Sequence, residues 1–280
     1  MTHWFEGAAG QRLAADLYGP DEGTPVLLLG GMGQTRHSWR RAAQRIADDG
    51  RRAITLDFRG HGESDRAVDG EYGYPSQAAD IAGVARAVGR SLVLAGNSFG
   101  GKIALASAGI CGPEVVAGIV MVDAVPRSLP AGISAVSESM QMSPLGFASP
   151  EEAAVQVAAG RGEAVAPDAA NRLRRNMRQE SDGRWYWHWD VAAYRDPRHD
   201  IGLGRGTQFL ESIAANVKVP ALLAWCELSD VVGQDGVEAL RALIPQLEVE
   251  IIPGARHMIV GDQNDVFADA LLNFLRRNAL

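Results

Sequence analysis

Cysteine is nearly absent: Cys111 and Cys226 are the two in 280 residues, and they form no CxxC pair. That excludes a disulfide framework and a zinc knuckle, and makes a reducing, cytoplasmic setting the expectation. No stretch approaches the roughly 20 apolar residues of a membrane span, and residues 1–10 carry acidic Glu6 without a basic flank, so neither an anchor nor a leader is expected. Basic charge is short as well. With 27 Lys and Arg against 34 Asp and Glu, the net charge of −7 opposes nucleic-acid phosphate and an anionic membrane face. The expected partner is a small-molecule substrate, with no nucleic acid and no membrane, and the expected state is a monomer or homodimer. The six histidines show no HxH or HxxxH spacing, so no metal site is expected.

What is present is a globular composition, 46% apolar and 22% charged, long enough for one large α/β domain with an insertion. Short apolar runs at 26–29, 53–58, 92–95, 118–122, 221–226 and 247–252 read as strands buried on both faces. Helical patterns at 38–48, 76–88, 99–108, 236–243 and 265–277 alternate with them. This predicts a mostly parallel, doubly wound sheet, preceded by a hairpin over 2–5 and 12–18. Between 126 and 216 the rhythm breaks. Pro126, Pro130, Pro144, Pro150 and Pro167 punctuate short helical patterns there, which predicts a helical cap inserted into a core formed by 1–125 and 217–280. Its expected place is over the carboxyl ends of the strands.

Gly96-Asn97-Ser98-Phe99-Gly100 is a GxSxG pattern. Composition alone yields about 0.2 such matches in a chain of this length, so its setting carries the signal: a strand ends at Gly96 and a helix opens at Phe99. Residues 96–102 also read GxxxxGK, yet Ile103 follows where a P-loop needs a hydroxyl for Mg²⁺, which disfavours a nucleotide site. A nucleophilic serine needs a base and an acid to orient it. His257 follows the last predicted strand and Asp230 the one before, giving the order Ser, Asp, His on strand exits. Asp123, at the end of the 118–122 strand, competes for the acid. Asp230 is preferred because it lies in a loop one strand later.

These segments resemble the α/β-hydrolase superfamily, in its capped esterase, haloperoxidase and perhydrolase group. Leu28-Leu29-Gly30-Gly31-Met32-Gly33 is similar to the oxyanion loop, and Asp57-Phe58-Arg59-Gly60-His61-Gly62-Glu63-Ser64-Asp65 to the DxRGHGxSD loop. The likeness covers roughly residues 10–125 and 217–275 and leaves the insertion out. It implies an oxyanion hole from the backbone N–H groups of Met32 and Phe99, and no cofactor. The family commonly has His-Gly where Gly30-Gly31 stands, so the bracing role of that histidine does not carry over.

Several residues also have plain readings. Asp57 and Arg59 read as loop braces, and Cys226 as core packing. Trp185-Tyr186-Trp187-His188-Trp189 in the insertion fits either a cap core or a pocket wall, with Met142, Trp185 and Trp187 as candidate lining. The expected reaction is ester hydrolysis through an acyl-enzyme on Ser98. Peroxide in place of water, carbon-carbon hydrolysis, and a receptor that has lost turnover remain alternatives. Epoxide hydrolase and dehalogenase chemistry uses an aspartate where Ser98 stands.

Overall fold

The computed structural model describes residues 2–130, 132, 145–161, 164–174, 176–195, 205–257 and 264–280. In chain order its strands are β1 (His3–Glu6), β2 (Arg12–Tyr18), β3 (Pro25–Leu29), β4 (Arg52–Leu56), β5 (Leu92–Asn97) and β6 (Val116–Val122). They continue with β7 (Met177–Gln179), β8 (Trp185–Trp187), β9 (Ala221–Cys226) and β10 (Leu247–Ile252). The helices are α1 (Arg40–Asp48), α2 (Tyr74–Val88), α3 (Phe99–Cys111), α4 (Pro150–Arg161), α5 (Ala169–Arg174), α6 (Ala192–Arg195), α7 (Arg205–Ala214), α8 (Gln234–Leu243) and α9 (Ala268–Arg277).

An eight-stranded sheet runs β1-β2-β4-β3-β5-β6-β9-β10, antiparallel at the β1 and β2 edge and parallel from β4 onward. Successive side chains on a strand point to opposite faces, so each central strand feeds two cores. Leu27, Leu29, Ile54, Leu94 and Met121 pack with Ile81 of α2, Ile103 of α3, Leu210 of α7 and Leu240 of α8. Val26, Leu28, Val93, Val120 and Leu222 pack with Ile46 of α1 and Leu271 of α9. Helices on both faces explain why these strands are continuous apolar runs rather than alternating ones.

Element ends differ from expectation where polar contacts intervene. β4 stops at Leu56 rather than 58 because the Asp57 carboxylate is drawn to Arg36, accepting its backbone N–H at 2.6 Å and Nη1–H at 2.6 Å. β6 starts at Val116 rather than 118, with a register shift opposite Leu92 and Val93. α2 begins with Tyr74 and Pro75, proline being suited to a first turn, and ends on Gly89, whose φ of 76° lets its N–H reach back to the Ala85 carbonyl.

Two features correct the reading of 126–216 as helical. First, β7 and β8 form an antiparallel hairpin, Met177 opposite Trp187, closed by a turn at Gly183 with φ 78°. The period-2 aromatic run is a strand signal that the surrounding prolines obscured. Second, α7 packs against α3 so closely that a Cβ on Gly109 would lie 2.6 Å from the Ile213 carbonyl oxygen. It is the crossover helix leading to β9, so the α/β alternation resumes at Arg205 and not at 217.

Trp187 is 3% exposed, stacked on Trp189 at 4.6 Å and edge-on to Phe147 at 5.2 Å. Trp185 lies half-buried under the Arg174 guanidinium, 5.3 Å from its ring centroid. Met142 lies outside the described residues. Among the described residues, no helix is long and apolar enough to cross a membrane. Trp187 thus packs as core, and Trp187→Ala should cost about 3–5 kcal/mol in denaturant unfolding. Tyr186→Phe next to it, which removes an exposed hydroxyl bonded to Asp182, should stay within about 0.5 kcal/mol.

Candidate active site

Ser98 stands between β5 and α3 with φ 51° and ψ −113°, a strained backbone for a residue with a Cβ. The turn exists because its neighbours lack side chains. A Cβ on Gly96 would lie 2.5 Å from the Gly101 nitrogen, and one on Gly100 would lie 2.5 Å from the Gly30 carbonyl oxygen. The Ser98 N–H donates to the Val122 carbonyl at 2.8 Å, and Ser98 remains 9% exposed.

His257, in the loop after β10, brings Nε2 to 3.0 Å from Ser98 Oγ. Its Nδ1 lies 2.6 Å from Asp123 Oδ2. The carboxylate on this histidine is therefore that of Asp123 at the end of β6, and the preference for Asp230 is corrected. Asp230 is exposed, and the residue its loop turns inward is Ser229. Ser229 Oγ–H donates to Asp123 Oδ2 at 2.7 Å while accepting N–H groups from Val231 and Val232. The Cys226 N–H donates to Asp123 Oδ1 at 3.1 Å. Asp123 is wholly buried, and these donors compensate its charge. Its φ of 47° is one aspartate tolerates better than most residues. Cys226 is buried in the core, and burial and the Asp123 carboxylate push its thiol up, away from the thiolate form.

Met32 and Phe99 are both buried, in the loop after β3 and at the first turn of α3. A Cβ on Gly31 would come within 3.5 Å of Ser98 Cβ, which sets the Met32 loop against Ser98. Gln34, which sequence reasoning missed, occupies the bracing role left open by Gly30: its Oε1 accepts the Gly31 N–H at 2.9 Å. Arg36 pairs with Asp57, and Arg59 holds both oxygens of Asp80 at 2.7 Å, so Asp57 and Arg59 brace their loop as expected.

The loop carrying them meets the inserted segment. The Asp190 N–H donates to the Gly60 carbonyl at 2.7 Å. His188 Nε2 lies 2.9 Å from the Gly33 carbonyl, and its Nδ1 accepts the Gly62 N–H at 3.1 Å. His61 Nε2 meets the Tyr194 hydroxyl. No spacing rule flags His188 or Tyr194, because their partners, the Gly33 and Gly62 backbone and the His61 ring, lie far away in sequence.

The alpha/beta hydrolase fold model matches residues 24–263. The chain belongs to this family. A curated relative, the sn-1-specific diacylglycerol lipase ABHD11 of Xenopus tropicalis, is 28% identical over 270 residues, covering 94% of this chain and 82% of that protein. The Esterase Rv0045c of Mycobacterium tuberculosis (strain ATCC 25618 / H37Rv) is 31% identical over 173 residues, 59% of this chain and 56% of its own. Among solved structures, E-2-(acetamidomethylene)succinate hydrolase superposes with a TM-score of 0.79 over 99% of both chains at 22% identity, a likeness of fold. With lipase and esterase relatives across most of its length, the family member is a hydrolase.

Burial pushes His61 and His188 down from 6.5 to about 4, helped in His61 by the facing His188 ring. A histidine pKa depressed on folding contributes stability that is complete above the unfolded value, and that stability is lost as pH falls towards the folded value. Unfolding free energy should therefore decline between about pH 6.5 and 4, with up to ~1.4 kcal/mol per pH unit from each ring. Denaturant titrations of His188→Gln over the same range should show a slope smaller by about one proton.

Proposed function

We propose that this protein is a serine hydrolase cleaving a carboxylic ester-type bond of a small molecule through an acyl-enzyme. The observation that carries the reading is the continuous chain from Ser98 Oγ through His257 to the buried carboxylate of Asp123. The lipase and esterase relatives support an ester substrate.

In this mechanism His257 Nε2 accepts the Ser98 proton as Oγ attacks the ester carbonyl. Asp123 keeps the Nδ1 proton facing itself, so Nε2 presents its lone pair to the serine, and it stabilises the imidazolium that forms. The N–H groups of Met32 and Phe99 receive the oxyanion, Phe99 adding the positive end of α3. His257 then protonates the departing alcohol. A water, deprotonated by the same nitrogen, attacks the acyl carbonyl, and collapse of the second oxyanion returns the acid and free Ser98. We assign the segment between β6 and α7 to a cap over the strand ends, supported by its contacts to Gly33, Gly60 and Gly62. It would select substrate through the groups remote from the carbonyl.

A fluorophosphonate should add a single adduct, mapped to Ser98 by mass spectrometry of the digested protein; an adduct on Ser229 or none at all would defeat the reading. Asp123→Asn should lower kcat for p-nitrophenyl acetate by up to about four orders of magnitude with little change in KM. Asp230→Asn should leave kcat within roughly twofold, since an exposed charge away from the chain contributes little.

A further inference from the structure

The oxyanion loop is held from two directions, and the second has no source in the loop itself. Within it, the Gln34 N–H donates to the Gly31 carbonyl at 3.0 Å. A trans peptide sets its C=O and N–H in opposite directions, so fixing the Gly31 oxygen aims the Met32 N–H the other way. The peptide on the far side of Met32 carries the Gly33 N–H and the one after it the Gly33 carbonyl, and the inserted segment engages both groups. His188 Nε2 meets its carbonyl at 2.9 Å, and its N–H interacts with the Tyr194 hydroxyl oxygen.

The proton arrangement closes without a mismatch. His188 Nδ1 accepts the Gly62 N–H, so a neutral ring carries its proton on Nε2, where the Gly33 carbonyl needs it. His61 Nδ1 faces the Arg59 carbonyl at 3.3 Å and carries the proton there, leaving Nε2 to accept from Tyr194. The Tyr194 oxygen is then free to accept from Gly33. All three side chains are at least nine-tenths buried, so each bond is made without competition from water.

We propose that His188 and Tyr194 are positioning residues that clamp Gly33 from the cap and thereby hold the Met32 N–H in line for the oxyanion, coupling cap docking to turnover. The clamp rests on the serine hydrolase reading for its catalytic meaning, while its mechanical part stands by itself. Through it, a loop lacking the family's bracing histidine is supported by a histidine from another segment. A loosened Met32 amide forfeits part of one oxyanion donor, whose complete removal typically lowers kcat by 10²- to 10³-fold.

Two variants, His188→Ala and Tyr194→Phe, test this with Tyr186→Phe on β8 as control. Amide exchange followed by mass spectrometry reads the peptide spanning residues 30–36, and hydrolysis of p-nitrophenyl acetate reads kcat and KM. Expected are faster exchange in that peptide for either variant, kcat lower by roughly 10- to 100-fold and KM within about threefold. Affinity for an alkylboronic acid, whose tetrahedral adduct on Ser98 mimics the oxyanion, should fall with kcat, while product carboxylate binding stays unchanged. His188→Gln, able to donate to Gly33, should recover part of the loss. Unchanged exchange at 30–36 in folded Tyr194→Phe overturns the clamp whatever the activity does. Faster exchange with wild-type kcat overturns its catalytic role, as does equal weakening of boronate and product. If the wild-type protein neither hydrolyses the ester nor takes up fluorophosphonate, the serine hydrolase reading falls and the exchange result still decides the clamp.

Discussion

A carboxylate with no access to water sits at the end of β6, and the site is arranged around keeping it charged. An ionised Asp123 in that position costs several kcal/mol unless donors replace its hydration. They arrive from the end of β9 through the Cys226 N–H, from the next loop through Ser229, and from the loop after β10 through His257. One buried charge thus ties the ends of three parallel strands together and turns His257 towards Ser98. The strained serine turn on β5 is affordable within this frame, because the neighbouring glycines let α3 and the loop after β3 pack against it at backbone distance.

The same logic extends outward. Arg36 with Asp57, and Arg59 with Asp80, are buried ion pairs that set the loop over residues 57–65. Pairs of this kind add little net stability compared with apolar packing, yet losing one partner typically costs about 3–5 kcal/mol, so they specify one loop conformation. That loop offers Gly60 and Gly62 to the inserted segment, while the loop after β3 offers Gly33. The inserted segment is consequently joined to the face that carries Ser98 by backbone hydrogen bonds and buried aromatic rings, with Tyr194, His61 and His188 at the junction. The ring contacts Phe58–Phe99 and Tyr74–Phe99 run alongside, linking α3 to the loop after β4 and to α2.

Much of this could be read from residues in line. Strands buried on both faces are apolar runs, so the parallel sheet and its helices were visible to within a few residues of each end. Ser98 and His257 were legible because a strand-turn-helix glycine pattern and a polar residue just past a strand end are local signals. The hairpin of β7 and β8 was legible in principle, since tryptophan recurs at every second position over Trp185, Trp187 and Trp189, but three-residue strands are too short to outweigh the prolines around them.

What the chain determined by itself is therefore the alternation of strands and helices, the strained serine between its glycines, and the candidates for its partners. Only the tertiary structure put Asp123 rather than Asp230 against His257, turned Ser229 onto Asp123, returned α7 to the core, and brought His188 to Gly33. The physical reason is the same in each case. Side-chain periodicity reports which face of an element is dry, whereas the pairing of a buried polar group depends on which distant loop closes over it, and that is set by how the strands lie side by side.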